Sequence, residues 1–182
     1  AYPTWAMLVG SSFVVRSAGF RYVTASTPAG LPDLAALFDS AGDDALEAQG
    51  TSVSFGDGTS YAYILEGFSR VMVQSRSGGH DAAVLRYTTS ADTVVATPGT
   101  TRLVGLGYAL SISGFDEVTV HGTGSGLWER ASLFDSEGDD LLTAVGNEAR
   151  LRWSDGRAVR LLDLTWVRAF STQGGTDRKH IE

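Results

Sequence analysis

The chain is predicted to be all-β, a right-handed parallel β-helix (solenoid) of about seven coils, and three observations carry that prediction. The first is a near-duplication. Ala35 to Ala48 (AALFDSAGDDALEA) returns 96 residues later as Ala131 to Ala144 (ASLFDSEGDDLLTA), and a degenerate copy, Ala83 to Ala96 (AVLRYTTSADTVVA), lies halfway between. Leu37, Leu85 and Leu133 are therefore spaced by 48 residues, as are Asp44, Asp92 and Asp140, and a ladder of Asp33, Asp81, Glu129 and Asp177 keeps the same interval. A fixed period of this kind signals stacked repeats. The second observation is a related segment between the copies: GFRYVTA from Gly19, GFSRVMV from Gly67, GFDEVTV from Gly114 and LDLTWVRA from Leu162. Taking the central apolar residue of every segment gives Val23, Leu46, Val71, Val94, Val118, Leu142 and Val167, which are 23 to 25 residues apart. A coil of about 24 residues, half the 48-residue double repeat, is too short for a helix pair and suits one turn of a β-solenoid. The third is the distribution of 22 glycines between short alternating runs, with no segment of convincing helical period.

Each coil is expected to hold short strands joined by polar turns. The first strand carries AALF, AVLR or ASLF in one coil type and YAYIL, YALSI or AVRLL in the other. The second is the ladder ALEA, VVAT, EVTV and LLTA, and a third includes Thr51 to Phe55, Thr101 to Val104 and Ala149 to Trp153. Gly56-Asp57-Gly58, Pro98-Gly99, Gly122 to Gly126 and Asp155-Gly156 supply corner conformations that β-branched residues avoid. Leu31 to Leu37 (LPDLAAL) reads as a helical turn only in isolation, because its register with two copies makes it strand. Alternation puts Leu46, Val71, Val94, Val118, Leu142 and Val167 inward as one stacked aliphatic column. Trp5 is expected to belong to an N-terminal cap over the exposed sheet edges that stacked coils leave.

The repeat argues for a single β-helix module over residues 1–182, excised from a larger multidomain protein, with neighbouring domains of the same chain as partners. A net charge of −7 and a pI near 4.9, with Lys179 the single lysine, disfavour phosphate-backbone binding, so nucleic acid is not an expected partner. The absence of cysteine excludes disulfides and thiolate metal sites. No run of 18 apolar residues predicts a membrane span.

Two groups of residues are candidates for a site. In DSxGDD, the run Gly-x-Asp-x-aliphatic of Gly42 to Leu46 and Gly138 to Leu142 resembles part of the calcium-binding nonapeptide repeat, in which turn carbonyls and aspartates hold the ion. Asp39, Asp43, Asp44, Asp135, Asp139 and Asp140 are thus candidate calcium ligands. The plainer reading is that these carboxylates accept backbone N–H groups at tight corners. Asp92, Asp116 and Asp140 are expected to stack on consecutive coils, where three like charges must find donors, protons or a cation. The second group lies on the outward register. Trp166 and Phe170 with Arg168 between them, beside Glu117 and His121, form a flat aromatic and polar platform suited to a sugar chain. Trp166 and Phe170 alternatively cover the flank of the last coil, and Trp128 and Trp153 sit at or beside corners. Glu117 and His121, with Thr119 between them, are also read as a chance surface pair rather than an acid/base couple. The histidines lack metal-binding spacing, and no GxSxG elbow or lysine-bearing phosphate loop occurs.

The pattern A-x-L-x-D-S-x-G-D-D-x-L-x-A, followed about two dozen residues later by G-F-D-x-V, resembles the tandem repeats of large exported bacterial proteins. The DSxGDD copies Asp39 to Asp44 and Asp135 to Asp140 carry the resemblance. The middle copy departs from it, with Tyr87 in place of the first aspartate and Ala91 in place of the second. The resemblance implies a repeat architecture and an extracellular or cell-surface location. At coil length the chain is also similar to small parallel β-helix carbohydrate-binding modules attached to polysaccharide-degrading enzymes. The expected function is a non-catalytic module that binds polysaccharide on an outward sheet face. A structural or adhesive spacer is the alternative, ahead of a β-helix lyase or hydrolase.

Overall fold

The computed structural model describes residues 5–9, 14–28, 32–89, 91–124 and 129–182. Among the described residues a hairpin of β1 (Trp5–Val9) and β2 (Val14–Ala18) pairs only with itself, and β3 (Tyr22–Ser26) enters the main body. The first full repeat supplies β4 (Leu34–Phe38), β5 (Ala45–Gln49), β6 (Ser52–Gly56), β7 (Ala62–Glu66) and β8 (Arg70–Gln74). The second supplies β9 (Ala82–Arg86), β10 (Thr93–Thr97), β11 (Thr100–Gly105), β12 (Tyr108–Ser113) and β13 (Glu117–His121). The third supplies β14 (Arg130–Phe134), β15 (Leu141–Val145), β16 (Glu148–Arg152), β17 (Ala158–Leu162) and β18 (Trp166–Phe170), and β19 (Arg178–Ile181) follows. Every regular element among the described residues is a strand.

Two sheets face each other across one core. The ten-stranded sheet has the order β19-β15-β16-β17-β13-β9-β5-β6-β7-β3, and the seven-stranded sheet the order β18-β14-β10-β11-β12-β8-β4. Within a repeat the first and last strands lie in one sheet and the middle three, an antiparallel meander, lie in the other. In the next repeat the sheets exchange roles, so successive repeats are related by half a turn. Parallel pairing links the repeats into a β-solenoid, and the chain makes about 4 turns.

This arrangement corrects the coil count and the 24-residue period. Parallel partners are 35 residues apart at the closest, where Ala82 pairs with Glu117, and 41 at the widest, where Glu117 pairs with Ala158. A step of about two dozen residues carries the chain alternately to the opposite sheet, as from Leu46 to Val71, and to the far side of a meander in the same sheet, as from Val71 to Val94. Leu46, Val118 and Leu142 line the ten-stranded sheet, whereas Val71, Val94 and Val167 line the seven-stranded one. The expected single column is therefore two columns that meet in the middle. Both sheets use the same in-out alternation, so apolar periodicity alone does not separate them.

The remaining residues of each turn are taken up by the meanders. Gly50-Thr51, Pro98-Gly99 and Gly146-Asn147 are two-residue hairpin turns, where a positive φ matches the twist of the flanking strands; Gly50 adopts φ 62° and Gly146 φ 59°. Pro98-Gly99, Asp155-Gly156 and Gly56-Asp57-Gly58 thus join antiparallel strands rather than forming solenoid corners. Leu34 to Leu37 is strand, in agreement with the repeat register. Gly122 to Gly124 follow β13 at a corner, and Ser125, Gly126 and Trp128 lie outside the described residues. So does the side chain of Trp5, for which a cap was expected.

The core is the interleaving of the two inward faces. Val73, Leu85, Ala96, Val120, Leu133 and Val159 are fully buried, and Phe55, Tyr61 and Phe115 fill it with edge-to-face ring contacts. At the two ends the packing thins. Val23, Ala25 and Ala35 at one end, and Leu142, Ala144, Leu164 and Val167 at the other, are only partly buried.

Candidate functional site

The DSxGDD aspartates turn toward the neighbouring turn of the solenoid. Asp39 follows β4, and its carboxylate accepts N–H groups from Arg76 (2.7 Å) and Ser77 (2.5 Å) and the Ser77 hydroxyl (3.0 Å). Asp135 repeats this with the N–H groups of Thr172 and Gln173, both at 2.7 Å. Asp43 accepts the His80 N–H and Asp139 the Thr176 N–H. Gly79 and Gly175 let the next loop approach the motif: a Cβ on Gly79 would lie 2.2 Å from the Gly42 carbonyl oxygen, and one on Gly175 the same distance from that of Gly138. The six-residue motif is therefore half of a latch. Its other half is the loop Ser75 to Asp81 (SRSGGHD) or Ser171 to Asp177 (STQGGTD), about 37 residues further on.

The last aspartate of the motif serves its own corner. Asp44 accepts the Ser40 N–H (2.7 Å) and hydroxyl and, from the core, the Tyr61 hydroxyl (2.7 Å). Asp92 accepts Thr88 and Thr89 N–H groups and the Tyr108 hydroxyl (2.7 Å). In the third repeat, Asp140 accepts the N–H and hydroxyl of Ser136 and, in place of a tyrosine, the Ser154 N–H (2.8 Å). Burial would raise the Asp92 carboxyl, but the Thr88, Tyr108 and Thr89 donors outweigh it and hold it below the ordinary aspartate range.

The column of stacked carboxylates is Asp44, Asp81 and Asp116, not Asp92, Asp116 and Asp140. The Asp44 N–H donates to Asp81, and the Asp81 N–H donates to Asp116, each at 2.8 Å. Asp92 lies at the corner entering the seven-stranded sheet, on the other side of the solenoid. A second rule recurs along the chain: a Ser or Thr hydroxyl donates to an acid six residues later, in Thr27 to Asp33, Ser75 to Asp81, Thr123 to Glu129 and Ser171 to Asp177. Each carboxylate in the column faces an N–H or hydroxyl donor. Among the described residues no three Asp, Glu or His side chains converge on a point that could hold a metal.

The expected sugar platform divides between the sheets. Trp166, Arg168 and Phe170 lie on β18, at the edge of the seven-stranded sheet, and Trp166 and Phe170 are exposed. Glu117 and His121 lie on β13 in the ten-stranded sheet, so a single ligand surface does not include both groups. The half-turn between repeats is the reason: residues 48 apart in register lie on opposite faces. Glu117 and His121 also sit at opposite ends of their strand, roughly 13 Å apart at the usual rise per residue, too far for an acid/base couple. Glu117 pairs with Arg150 (3.5 Å), and burial together with the Arg86 charge lowers the His121 pKa. On β18 the Trp166 ring faces the guanidinium groups of Arg168 (4.8 Å) and Arg130 (5.6 Å), and Phe170 stacks on Phe134 (4.9 Å). Arg130 and Phe134, on the adjacent β14, complete this cluster and were not foreseen. Their parallel pairing with Trp166 and Phe170 becomes visible only once the 36-residue step between β14 and β18 is known.

A hollow of about 200 Å³ lies against Ala149, Leu161, Leu164 and Val167, where the core opens at its C-terminal end. Small-molecule sites typically enclose about 300–1,000 Å³. Comparison with protein-family models, curated proteins and solved structures found no match.

Proposed function

We propose that the chain is a non-catalytic structural spacer, a rigid β-solenoid segment of an exported, cell-surface or extracellular protein. The observation that supports this best is where its chemistry is spent. Of the repeated acids that looked like a site, Asp39, Asp43, Asp135 and Asp139 accept backbone N–H groups of the next turn and so hold repeat to repeat, while Asp44 and Asp140 brace their own corners. The winding is taken as right-handed, the hand almost always adopted by crossovers between parallel strands. Each repeat adds five strands shared between two sheets, which extends the body by roughly 12 Å at the usual inter-strand spacing. A spacer needs stiffness and length, and both follow from this addition rule.

A second reading, polysaccharide binding, draws on the Trp166, Arg168, Phe170, Arg130 and Phe134 cluster alone. Aromatic rings and guanidinium groups on a rigid edge suit stacking against a sugar ring, and little ordering cost attends binding to a preformed sheet. The spacer reading is favoured because both Trp166 contacts described, and the Phe170 stack, already engage these rings. Affinity electrophoresis against a panel of plant, algal and bacterial polysaccharides separates the two. The spacer predicts unretarded migration in every gel for wild type and Trp166→Ala alike. Retardation by one polysaccharide that Trp166→Ala abolishes transfers the function to the β14–β18 face.

A further inference from the structure

Charge is sorted around the solenoid. On the seven-stranded sheet, alternation turns outward Arg70 of β8, Arg102 of β11, Arg130 of β14 and Arg168 of β18, and no outward position of that sheet holds an acid. Four arginines on one face of a chain of net charge −7 leave −11 on everything else. Arg70, Arg102 and Arg130 lie on every second strand, so they form a line along the solenoid at steps of roughly 10 Å. Exposed Met72, Val95, Trp166 and Phe170 lie between and beside them.

The acids gather on one long edge. The DSxGDD aspartates precede β5 and β15, Asp81, Asp116 and Asp177 precede β9, β13 and β19, and Asp57 and Asp155 occupy the β6–β7 and β16–β17 turns. All lie at the same end of the ten-stranded sheet, because the strand ends beside them, from Ala62 on β7 to Arg178 on β19, are successive partners. Along this ridge Asp43, Glu137, Asp139 and Asp155 are exposed. Arg21, Arg76, Arg157 and Arg178 offset only part of its charge. A cationic face and an acidic ridge that both run along the solenoid are complementary, and only a second molecule can bring them together, since on one molecule they point in different directions.

We infer that copies of this chain associate side by side, the acidic ridge of one lying along the arginine face of the next. Met72 and Val95 add apolar contact between the ion pairs. The contact is heterologous: each copy keeps a free face and a free ridge, so the assembly is open-ended. This goes beyond the spacer reading by giving the solenoid a lateral partner. Sedimentation equilibrium tests it. At about 0.01 M salt, where charges act over about 30 Å, the mass should rise with concentration to at least about twice the 19.2 kDa of one chain; at about 1 M, where they act over about 3 Å, single chains remain. A face variant (Arg70→Glu with Arg102→Glu) and a ridge variant (Glu137→Arg with Asp155→Arg) should each stay monomeric at low salt, because like charges then meet. Their equimolar mixture should associate again, since the reversed face fits the reversed ridge. If the ridge variant melts below wild type, Glu137→Arg alone replaces it; the Glu137 side chain has no hydrogen bond among the described residues, so the fold does not depend on it. A monomeric wild type at low salt, association as strong at 1 M salt or in the face variant, or a mixture that stays monomeric would overturn the inference. So would a monomeric wild type that binds labelled poly-glutamate, which gives the face to a foreign acidic polypeptide.

Discussion

Asp163 does with a side chain what three glycines do without one. Gly19, Gly67 and Gly114 end the turn before each GF segment at φ 75°, 85° and 86°, and Asp163, at the same register position, adopts φ 58°. At Gly67 and Gly114 no side chain fits: an added Cβ would lie 2.1 Å from the Thr27 carbonyl oxygen and 1.8 Å from that of Ser75. Below Asp163 the chain has Gly122, where an added Cβ would fall 2.4 Å from the Asp163 oxygen, so the glycine has moved to the partner turn. Gly67→Ala is expected to cost about 1–2 kcal/mol from the left-handed backbone alone, with the overlap added. Asp163→Gly is expected to raise stability by up to about 1 kcal/mol. Urea unfolding midpoints of the two variants check both signs, and equal midpoints for Gly67→Ala and wild type would refute the steric account.

At the scale of elements, the latch between DSxGDD and the SxxGGxD loop shows what the sequence disclosed and what it hid. The 48-residue register of Leu37, Asp44 and their copies was legible. That the two motifs touch was not, because their contact depends on the 37-residue step, and three-stranded meanders disguised as corners concealed that step. The same ignorance placed Glu117 and His121 beside Trp166. The corner role of Asp44, Asp92 and Asp140 was readable from Asx chemistry and their own-corner donors agree with it, but Asp39 and Asp135 accept from the next turn instead, and the Tyr61 and Tyr108 hydroxyls approach Asp44 and Asp92 from the core and had no local signature. Two consequences follow. Asp39→Ala strands the Arg76 and Ser77 N–H groups beside a 2 % exposed site and is expected to cost about 1–3 kcal/mol. Melting curves with chelator and with added calcium should superimpose, since the carboxylate oxygens are directed to amides; a calcium-dependent rise lost in Asp140→Asn would restore the ion-binding reading.

Across the whole molecule the buried acids and phenols set a window of stability in pH. Burial, then the hydrogen bond to Asp44, pushes the Tyr61 hydroxyl far above the ordinary tyrosine range. Burial and the charges of Asp92 and Glu129 do the same to Tyr87, and burial with the bond to Asp92 does so to Tyr108. A pKa raised by folding contributes stability that is complete below the unfolded tyrosine value, about 10, and is lost as pH rises through the folded value. On the acid side, burial works against the charged forms of Asp57 and Asp92, but their donors prevail and lower both pKa values. Their contribution is present above the unfolded aspartate value, about 3.9, and is lost as pH falls through the lower folded values. Asp81 opposes them: burial raises its pKa, so its contribution is complete below the unfolded value and is lost as pH rises through the folded one. The lowered His121 pKa adds a contribution present above the unfolded histidine value, about 6.5, and lost as pH falls through the folded one, so stability is expected to be flat between roughly pH 7 and pH 9 and to fall on both sides. Tyr108→Phe tests the coupling, because one hydroxyl serves both limbs: it titrates at high pH and supports the Asp92 carboxylate at low pH. The variant should have a lower plateau and a shallower fall on each side, read as urea midpoint against pH. An equally steep fall on both sides would show that the Tyr108–Asp92 bond does not govern the window.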